Sequence, residues 1–372
     1  MPCLAHASSL PRPAVTPCWP KEIRSMPQLS LLDPVRRTIT PADEPDLSDY
    51  DLILIGMSGK DAHAALDVTL ARARAAGVGD RVWTVHADLG LMEAPGAFFE
   101  GRYYPSNREL VAQQAAAYGL RPDRHIETRR TVRDGETWRD QTLLEMVAMT
   151  GKFPDAARRW CTSDLKTSKI SAALTPLVRA LRGSLDRPVR ILNVLGIRAE
   201  ESPRRAGRPT YRCTASNGQR HVDEHLPVHD YSTAQVWRTI LDSGVPYHWW
   251  YDSAPGRGDR AGARRLSCSL CVLGSRRECV LAARRRPRLA ALYHEVEQRT
   301  GHRFKLELPM SRVLELAAAP GGPEPGVVLD EQNPEFDALA ARVRTRLDRP
   351  GRRPGSTSHT ADPASLSCTG CG

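Results

Sequence analysis

The chain alternates between short apolar runs and longer segments in which apolar residues recur at helical spacing. The runs at 51–56, 82–86 and 189–196 have the length and composition of buried parallel strands, and 125–130 fits a further strand. Helical spacing predicts six helices, over 60–76, 107–119, 139–149, 166–182, 232–243 and 276–300. This alternation predicts an α/β fold, with an open, mostly parallel sheet, helices on both faces and a helical, cysteine-containing C-terminal portion.

Local composition divides the chain into four parts. Residues 1–45 are rich in Pro, Ser and Ala without sustained periodicity, which predicts a disordered leader. Residues 46–300 carry the predicted sheet and form the folded domain, and 301–348 form a helical extension. Residues 349–372 are rich in Gly, Pro, Ser and Thr, which predicts a flexible tail.

The overall composition is that of a globular protein, with 41% hydrophobic and 26% charged residues. No run approaches the roughly 20 apolar residues that a membrane span needs, and the N-terminus lacks a secretory signal pattern. We therefore expect a cytoplasmic protein without a membrane partner. Thiols stay reduced in that compartment, so the nine cysteines are candidates for metal, cluster or catalytic roles.

Positive charge is concentrated in two segments of a chain whose net charge is +10. Residues 257–288 hold ten arginines against Asp259 and Glu278, and 342–353 hold six arginines and one Asp. Such density favours a polyanionic partner, which could be a nucleotide, a sulfated nucleotide or a nucleic acid. A solvated, arginine-rich surface is the alternative.

The first predicted strand runs directly into Gly56-Met-Ser-Gly-Lys-Asp-Ala62, after which a helix begins. Unpaired backbone amides and the helix dipole favour an anion at such a turn, and ligands of α/β sheets bind beyond the carboxyl ends of the strands. Ser58 and Gly59 allow a phosphate to approach closely, and Lys60 adds positive charge. Asp61 could orient the loop or hold Mg²⁺. The alternative is an ordinary strand–helix turn with a capping Ser.

The second strand ends in Val85-His-Ala-Asp-Leu-Gly90. His86 and Asp88 come at the same edge of the predicted sheet as the phosphate loop, and we expect both beside the nucleotide. Asp88 could bind a metal ion or a ribose hydroxyl. The alternative is a simple turn in which Asp caps and Gly takes a positive φ.

A cation-rich segment, Arg158-Arg-Trp-Cys-Thr-Ser-Asp-Leu-Lys166, precedes a predicted helix. Arg159 and Lys166 suit phosphate or sulfate oxygens. Cys161 lies near these cations and a helix start, so its thiol is predicted to be unusually acidic, as a nucleophile or metal ligand would be. A half-buried Cys in a helix cap is the alternative.

Three cysteines are grouped in Ser267-Cys-Ser-Leu-Cys-Val-Leu-Gly-Ser-Arg-Arg-Glu-Cys279. Cys268 and Cys271 form a CxxC pair, which brings two thiolates to one metal or cluster edge, with Cys279 as the third ligand. Cys161 is the natural fourth ligand. Four cysteine ligands would suit a 4Fe–4S cluster or a zinc ion equally well. The alternative is that these cysteines are small packed thiols without a metal.

The predicted tail contains two further cysteines, in Cys368-Thr-Gly-Cys371. These thiols are either redox-active or incidental.

In this order, over roughly residues 48–300, the segments resemble the phosphoadenosine phosphosulfate (PAPS) reductase family of the PP-loop ATP pyrophosphatase superfamily. The phosphate loop is similar to the SGGKDS signature, but either Met57 and Ser58 replace its first Ser and first Gly or the loop is one Gly short, and Ala62 replaces the final Ser. The cation-rich segment resembles Arg-x-Cys-(Thr)-x-x-Leu-Lys. Leu195-Gly-Ile-Arg-Ala-Glu-Glu-Ser-Pro-Arg-Arg205 resembles Gly-Ile-Arg-x-x-Glu-Ser-x-x-Arg. The resemblance implies an adenine nucleotide alpha hydrolase-like fold.

The resemblance also implies functional residues. Arg198 would point at the phosphates, with Glu200 or Glu201 holding the loop or a metal. Lys60, Asp61 and Arg198 would be catalytic. The nucleotide-binding set would be Ser58, Gly59, Lys60, Asp61, His86, Asp88, Arg159, Lys166 and Arg198. The cofactors would be an adenine nucleotide, Mg²⁺ and a cluster, for which the resemblance favours iron–sulfur over zinc.

Two chemistries are compatible with this resemblance. In one, ATP is split between its α and β phosphates to adenylate a substrate in a sulfur-transfer or nucleic-acid-modification pathway, with a nucleic acid or a sulfur-donor protein as partner. In the other, a sulfonucleotide (PAPS or APS) is reduced to sulfite by a tail thiolate. The tail lacks the Glu and His of the standard reductases, which favours the first. A third alternative is a non-catalytic nucleic-acid-binding module whose contacts come from 257–288.

Overall fold

A six-stranded sheet forms the centre of the folded part of the chain. The computed structural model describes residues 44–329 and 334–348. Its strands are β1 Leu52–Met57, β2 Val82–Ala87, β3 Ala97–Phe99, β4 Arg102–Tyr104, β5 His125–Thr128, β6 Thr131–Asp134, β7 Thr137–Asp140, β8 Val189–Val194, β9 Tyr211–Ser216 and β10 Arg220–His225. The central sheet has the order β5-β2-β1-β8-β10-β9, while β3–β4 and β6–β7 are separate hairpins.

The strand order creates a switch point beside β1. All neighbours in the central sheet pair in parallel except β9, which is antiparallel to β10 at the edge. The chain proceeds outward from β1 through β2 to β5, and then returns to the other side of β1 as β8. The segments that follow β1 and β8 therefore diverge from neighbouring strand ends, which is where ligands bind in open α/β sheets.

Helices cover both faces of the sheet. They are α1 Lys60–Ala75, α2 Asn107–Ala117, α3 Leu143–Thr150, α4 Trp160–Thr162, α5 Ser168–Arg182, α6 Pro203–Ala206, α7 Thr233–Ser243, α8 Arg276–Arg285, α9 Pro287–Thr300, α10 Met310–Ala318 and α11 Pro334–Asp348. One core holds buried residues of α1, α2 and α7 against the sheet. Another holds Leu174 and Val178 of α5 against the opposite face. The α/β fold with helices on both faces is confirmed.

A third core joins the C-terminal helices to the end of β2. It contains buried residues of α3, α8, α9, α10 and α11 together with Met92, Trp249 and Trp250. Within it Arg285 donates to the backbone oxygens of Trp250 and Asp252, and Arg286 donates to that of Glu93. Two of the ten arginines in the basic segment 257–288 are thus buried and stabilise the fold rather than present charge to a partner.

Two predicted helices differ from the structure. The helix predicted over 139–149 begins only at Leu143, where Thr142 and Glu145 form a capping box, because residues 139 and 140 belong to β7. The helix predicted over 276–300 is two helices, because Pro287 has no N–H to continue α8 and instead begins α9.

Parts of the predicted organisation lie outside the described residues. These are the leader as far as residue 43 and the tail from 349 onward, including Cys368 and Cys371. In the region predicted as a helical extension, α10 packs against α8, and α11 packs against α3 and α9. Within the described ranges, no helix combines the length and apolar character needed to cross a membrane.

Candidate nucleotide and cysteine site

A cavity of about 250 Å³ lies between the phosphate loop after β1 and the cysteine-rich loop before α8. Its wall includes nine of the residues predicted from the sequence, which are Ser58, Gly59, Asp61, Arg159, Cys161, Lys166, Cys268, Cys271 and Cys279. The structure thus brings together segments that are more than 200 residues apart in the chain. Four other predicted residues, Lys60, His86, Asp88 and Arg198, are buried and do not line the cavity.

The phosphate loop is held by a tyrosine from a distant segment. Gly59 is the N-cap of α1 and makes no side-chain cap. The backbone N–H of Lys60 donates to Tyr251 Oη at 2.8 Å, and a Cβ on Gly59 would lie 2.6 Å from that oxygen. Burial raises the pKa of Tyr251 far above its usual value, so its hydroxyl stays protonated. A side chain at position 59 would clash with this hydroxyl, and the tyrosine already occupies the first N–H of α1, so an anion would be bound by the N–H groups of Asp61 and Ala62, which line the cavity.

Asp61 has two cationic partners. Lys60 Nζ lies 2.9 Å from Asp61 Oδ2, and Arg198 Nε lies 2.6 Å from Asp61 Oδ1. Arg198 also pairs with Glu200 at 2.6 Å and is only 3% exposed. Burial lowers the pKa of Lys60, and the charge of Asp61 partly offsets this. Through these two carboxylates Arg198 joins the loop after β8 to α1, and its expected contact with phosphates stays a prediction.

Gly196 brings that loop against the start of α1. A Cβ at this position would lie 2.3 Å from the Asp61 carbonyl carbon and 2.4 Å from the Ala62 nitrogen, both of which are backbone atoms that cannot swing away. We expect Gly196→Ala to lower the free energy of unfolding by about 1–3 kcal/mol, measured by urea denaturation. Gly218→Ala is the control, because a Cβ there meets nothing within 4 Å. Equal stability of the two variants would contradict this close packing.

The cavity wall carries more cations than the sequence motifs indicated. Arg205 and Arg265 join Arg159 and Lys166 on it. Arg205 donates to Glu201, and Arg265 Nη2 lies 2.8 Å from Glu201 Oε1. Burial, together with the nearby charge of Arg265, lowers the pKa of Arg205 to about 10, so it remains charged at neutral pH. Arg205 is the last residue of the segment that resembles Gly-Ile-Arg-x-x-Glu-Ser-x-x-Arg. That motif was the sequence signal from which Arg205 could have been identified as a site residue.

The four cysteines reach the cavity from three elements. Cys161 lies on α4, Cys268 and Cys271 lie in the loop before α8, and Cys279 lies on α8. A π-helical turn, Ser163–Thr167, joins α4 to α5 and carries Lys166 to the same wall. Such turns are rare and are frequent at functional sites.

The predicted acidity of Cys161 is wrong for the protein without a metal. Burial and the neighbouring Cys271 raise its pKa, and the charge of Lys166 does not compensate. Burial likewise raises the pKa of Cys268, and raises that of Cys279 to about 11. Burial lowers the pKa of Lys166, but the surrounding cysteines and Glu93 outweigh this effect, so the pKa of Lys166 is raised overall. Thiols with raised pKa values such as these lose their protons when they coordinate a metal ion, whose charge favours the thiolate.

His86, Asp88 and Glu93 form a separate buried group beside the cavity, with ligand atoms within 4.8 Å of one another. His86 Nε2 lies 3.0 Å from Glu93 Oε2. Although burial opposes both charges, Glu93 raises the pKa of His86, and His86 lowers that of Glu93, so the two form an ion pair. Asp88 pairs with Arg129 at 2.6 Å. An isolated antiparallel β-bridge between the backbones of Glu93 and Cys268 connects this group to the cysteine loop.

Comparisons with known proteins find similarity only at the level of solved structures. No protein-family model matches the chain, and no curated protein matches it. Among solved structures, it is similar to phosphoadenylyl-sulfate (PAPS) reductase from Candida auris in a phosphate complex. The identity is 16%, the match covers 54% of this chain and 77% of that one, and the TM-score is 0.32.

Proposed function

We propose that the chain is a PP-loop enzyme that binds ATP with Mg²⁺ and releases pyrophosphate. The adenylyl group would pass to a substrate in a sulfur-transfer or nucleic-acid-modification pathway. The observation that carries this proposal is the shared cavity, whose wall includes both the phosphate-loop residues Ser58, Gly59 and Asp61 and four cysteines. The test is pyrophosphate release from ATP by anaerobically purified protein.

Binding would begin at the start of α1. The backbone N–H groups of Gly59, Asp61 and Ala62 would bind phosphate oxygens, and Arg159, Arg205 and Arg265 would neutralise their charge. Both oxygens of Asp61 already accept from cations. Asp61 would hold Mg²⁺ and Lys60 would bind a phosphate oxygen, so the ion pair between Lys60 and Asp61 would have to open when the nucleotide binds.

The chemical step would follow from this placement. A substrate oxygen attacks the α-phosphorus, the bond from that phosphorus to the bridging oxygen breaks, and pyrophosphate leaves. Lys60 would stabilise the negative charge that develops on the leaving group, while the three arginines would hold the phosphates in place. Arg198, held by Asp61 and Glu200, would position the loop rather than contact the phosphates.

Cys161, Cys268, Cys271 and Cys279 would hold a 4Fe–4S cluster. Among the described residues, the two groups whose metal-binding atoms lie within 4.8 Å of one another include none of these cysteines. A zinc tetrahedron spaces its sulfurs about 3.8 Å apart, given Zn–S distances of about 2.3 Å. The wider arrangement around a cavity favours the larger cluster. Such a cluster supplies electron transfer or sulfur chemistry next to the nucleotide.

Arg265 offers a test of the cation wall. We expect Arg265→Ala to raise KM for the nucleotide about 10-fold with a smaller effect on kcat, because it removes a charge-assisted contact to a phosphate. The neighbouring Arg264 is exposed and does not line the cavity, so Arg264→Ala is the matched control. Steady-state pyrophosphate release measures both. Identical KM values for the two variants would remove Arg265 from the proposed binding site.

Reduction of a sulfonucleotide to sulfite is the second candidate. The occupied carboxylate of Asp61 favours it, because a substrate without a triphosphate needs no Mg²⁺ ligand there. Sulfite production from PAPS or APS with a thioredoxin, lost in Cys368→Ser or Cys371→Ser, would support this reaction over adenylation. Absence of sulfite together with pyrophosphate release from ATP would exclude it.

A further inference from the structure

We propose that Cys213, His221 and Asp223 form a mononuclear zinc site on the edge hairpin β9–β10, separate from the cysteine cavity. The sulfur of Cys213, a ring nitrogen of His221 and a carboxylate oxygen of Asp223 all lie within 4.8 Å of one another. None of the three lines the nucleotide and cysteine cavity. The proposal is independent of the proposed reaction.

A β-bulge places the cysteine on this face. The register of β9 and β10 shifts between Val222 and Asp223, so that Asp223 pairs with Cys213 instead of Thr214. His221 and Asp223 are two residues apart on one strand and therefore share a face of the sheet. Without the bulge, Thr214 would stand opposite Asp223 and would contribute no sulfur. Bulges re-aim side chains in this way and recur beside functional sites.

Asp223 is anchored by hydrogen bonds behind the cluster. Its Oδ2 accepts from Tyr50 Oη at 2.8 Å and from Tyr211 Oη at 3.1 Å. Its Oδ1 is the oxygen that faces His221 Nε2, at 3.0 Å. One oxygen is thus fixed by two phenols while the other is turned toward the imidazole. Outer hydrogen bonds of this kind orient the ligands of metal sites.

The ligand atoms of Cys213, His221 and Asp223 determine which metal ion the site would prefer. One sulfur, one imidazole nitrogen and one carboxylate oxygen suit zinc, whereas Mg²⁺ and Ca²⁺ prefer oxygen ligands alone. The 3.0 Å separation of His221 Nε2 from Asp223 Oδ1 is close to the roughly 3.3 Å expected for two ligands about 2.0 Å from one zinc ion. Cys213 is half-buried and the His221 side chain is 28% exposed, so water can supply the fourth ligand.

Metal analysis of the full chain tests this site. After zinc loading and removal of excess metal, we expect wild-type protein to retain one more zinc ion per chain than Cys213→Ser or His221→Gln. With Co²⁺ as the probe, the sulfur-to-cobalt charge-transfer band of this site should be missing from Cys213→Ser. Ser216→Ala is the matched control, because Ser216 lies on the same hairpin and pairs with His221 without belonging to the cluster.

The outcomes separate this site from other metal sites in the chain. Added zinc should raise the Tm of wild type and Ser216→Ala but not of the two ligand variants, since ligand binding to the folded state stabilises it. The iron content should be the same in all four proteins. Equal zinc content and equal cobalt spectra in wild type and Cys213→Ser would overturn the proposal, as would wild-type protein that retains no zinc.

Discussion

Cys268→Ser is expected to lose most of the bound iron and the visible absorption of the protein. Cys268 lies half-buried in the cavity wall with three other cysteines, and the charges of Cys271, Lys166 and Cys161 act on its thiol. Serine keeps the volume but offers a much poorer cluster ligand, and three remaining thiolates leave one iron of the cluster exposed. Iron analysis and absorption spectra after anaerobic purification measure this effect.

Cys213→Ser is the matched control for the iron measurement. Cys213 lies on β9 and does not line the cavity, so its replacement should leave iron content and absorption unchanged. A colourless wild-type protein without iron would contradict the cluster assignment. A protein that binds zinc but no iron, and that loses zinc in Cys268→Ser in addition to the zinc lost in Cys213→Ser, would reassign the same four cysteines to zinc.

Lys60→Ala is expected to reduce pyrophosphate release from ATP about 100-fold or more, because it removes an ammonium group that stabilises charge on the leaving phosphates. Lys60 is only 6% exposed, and its ammonium is held 2.9 Å from Asp61 at the start of α1. Lys152→Ala is the control, since Lys152 is exposed and lies outside the cavity wall.

The effect of Lys60→Ala must be separated from a loss of folding. The alanine variant leaves Asp61 paired with Arg198, so we expect α1 to keep its place and the protein to unfold cooperatively in urea. Pyrophosphate release within twofold of wild type in a folded Lys60→Ala protein would exclude Lys60 from the chemistry. It would then leave Lys60 as a structural partner of Asp61.

Strong hydrophobic periodicity made much of the fold predictable. The strand predicted at 82–86 and the helix predicted at 232–243 appear within one residue as β2 and α7, because their apolar positions are buried in the cores on the faces of the sheet. The β6–β7 hairpin was missed. It is short and largely exposed, and it turns at Gly135 with φ of 62°, so no buried face imposes a pattern on its sequence.

The residues of the candidate site were predictable from the sequence where the residue type itself indicates a chemical role. Small residues of the phosphate loop and the cysteines were identified from the sequence, and the structure places them around one cavity. Contacts between distant segments were not predictable. Arg198 pairs with Asp61, 137 positions away, and Tyr251 caps a loop 191 positions away. Arg265 was hidden within an arginine-rich segment in which nothing local distinguishes a cavity residue from an exposed one.

The central claim is that one cavity binds an adenine nucleotide against both the phosphate loop and the cysteine loop. Hydrogen–deuterium exchange of anaerobically purified protein, with and without a saturating nonhydrolysable ATP analogue and Mg²⁺, tests it most directly. We predict slower exchange in peptides covering 58–62 and 263–279 together, with no change in the β9–β10 hairpin. Unchanged exchange in both cavity segments at saturation would contradict the claim.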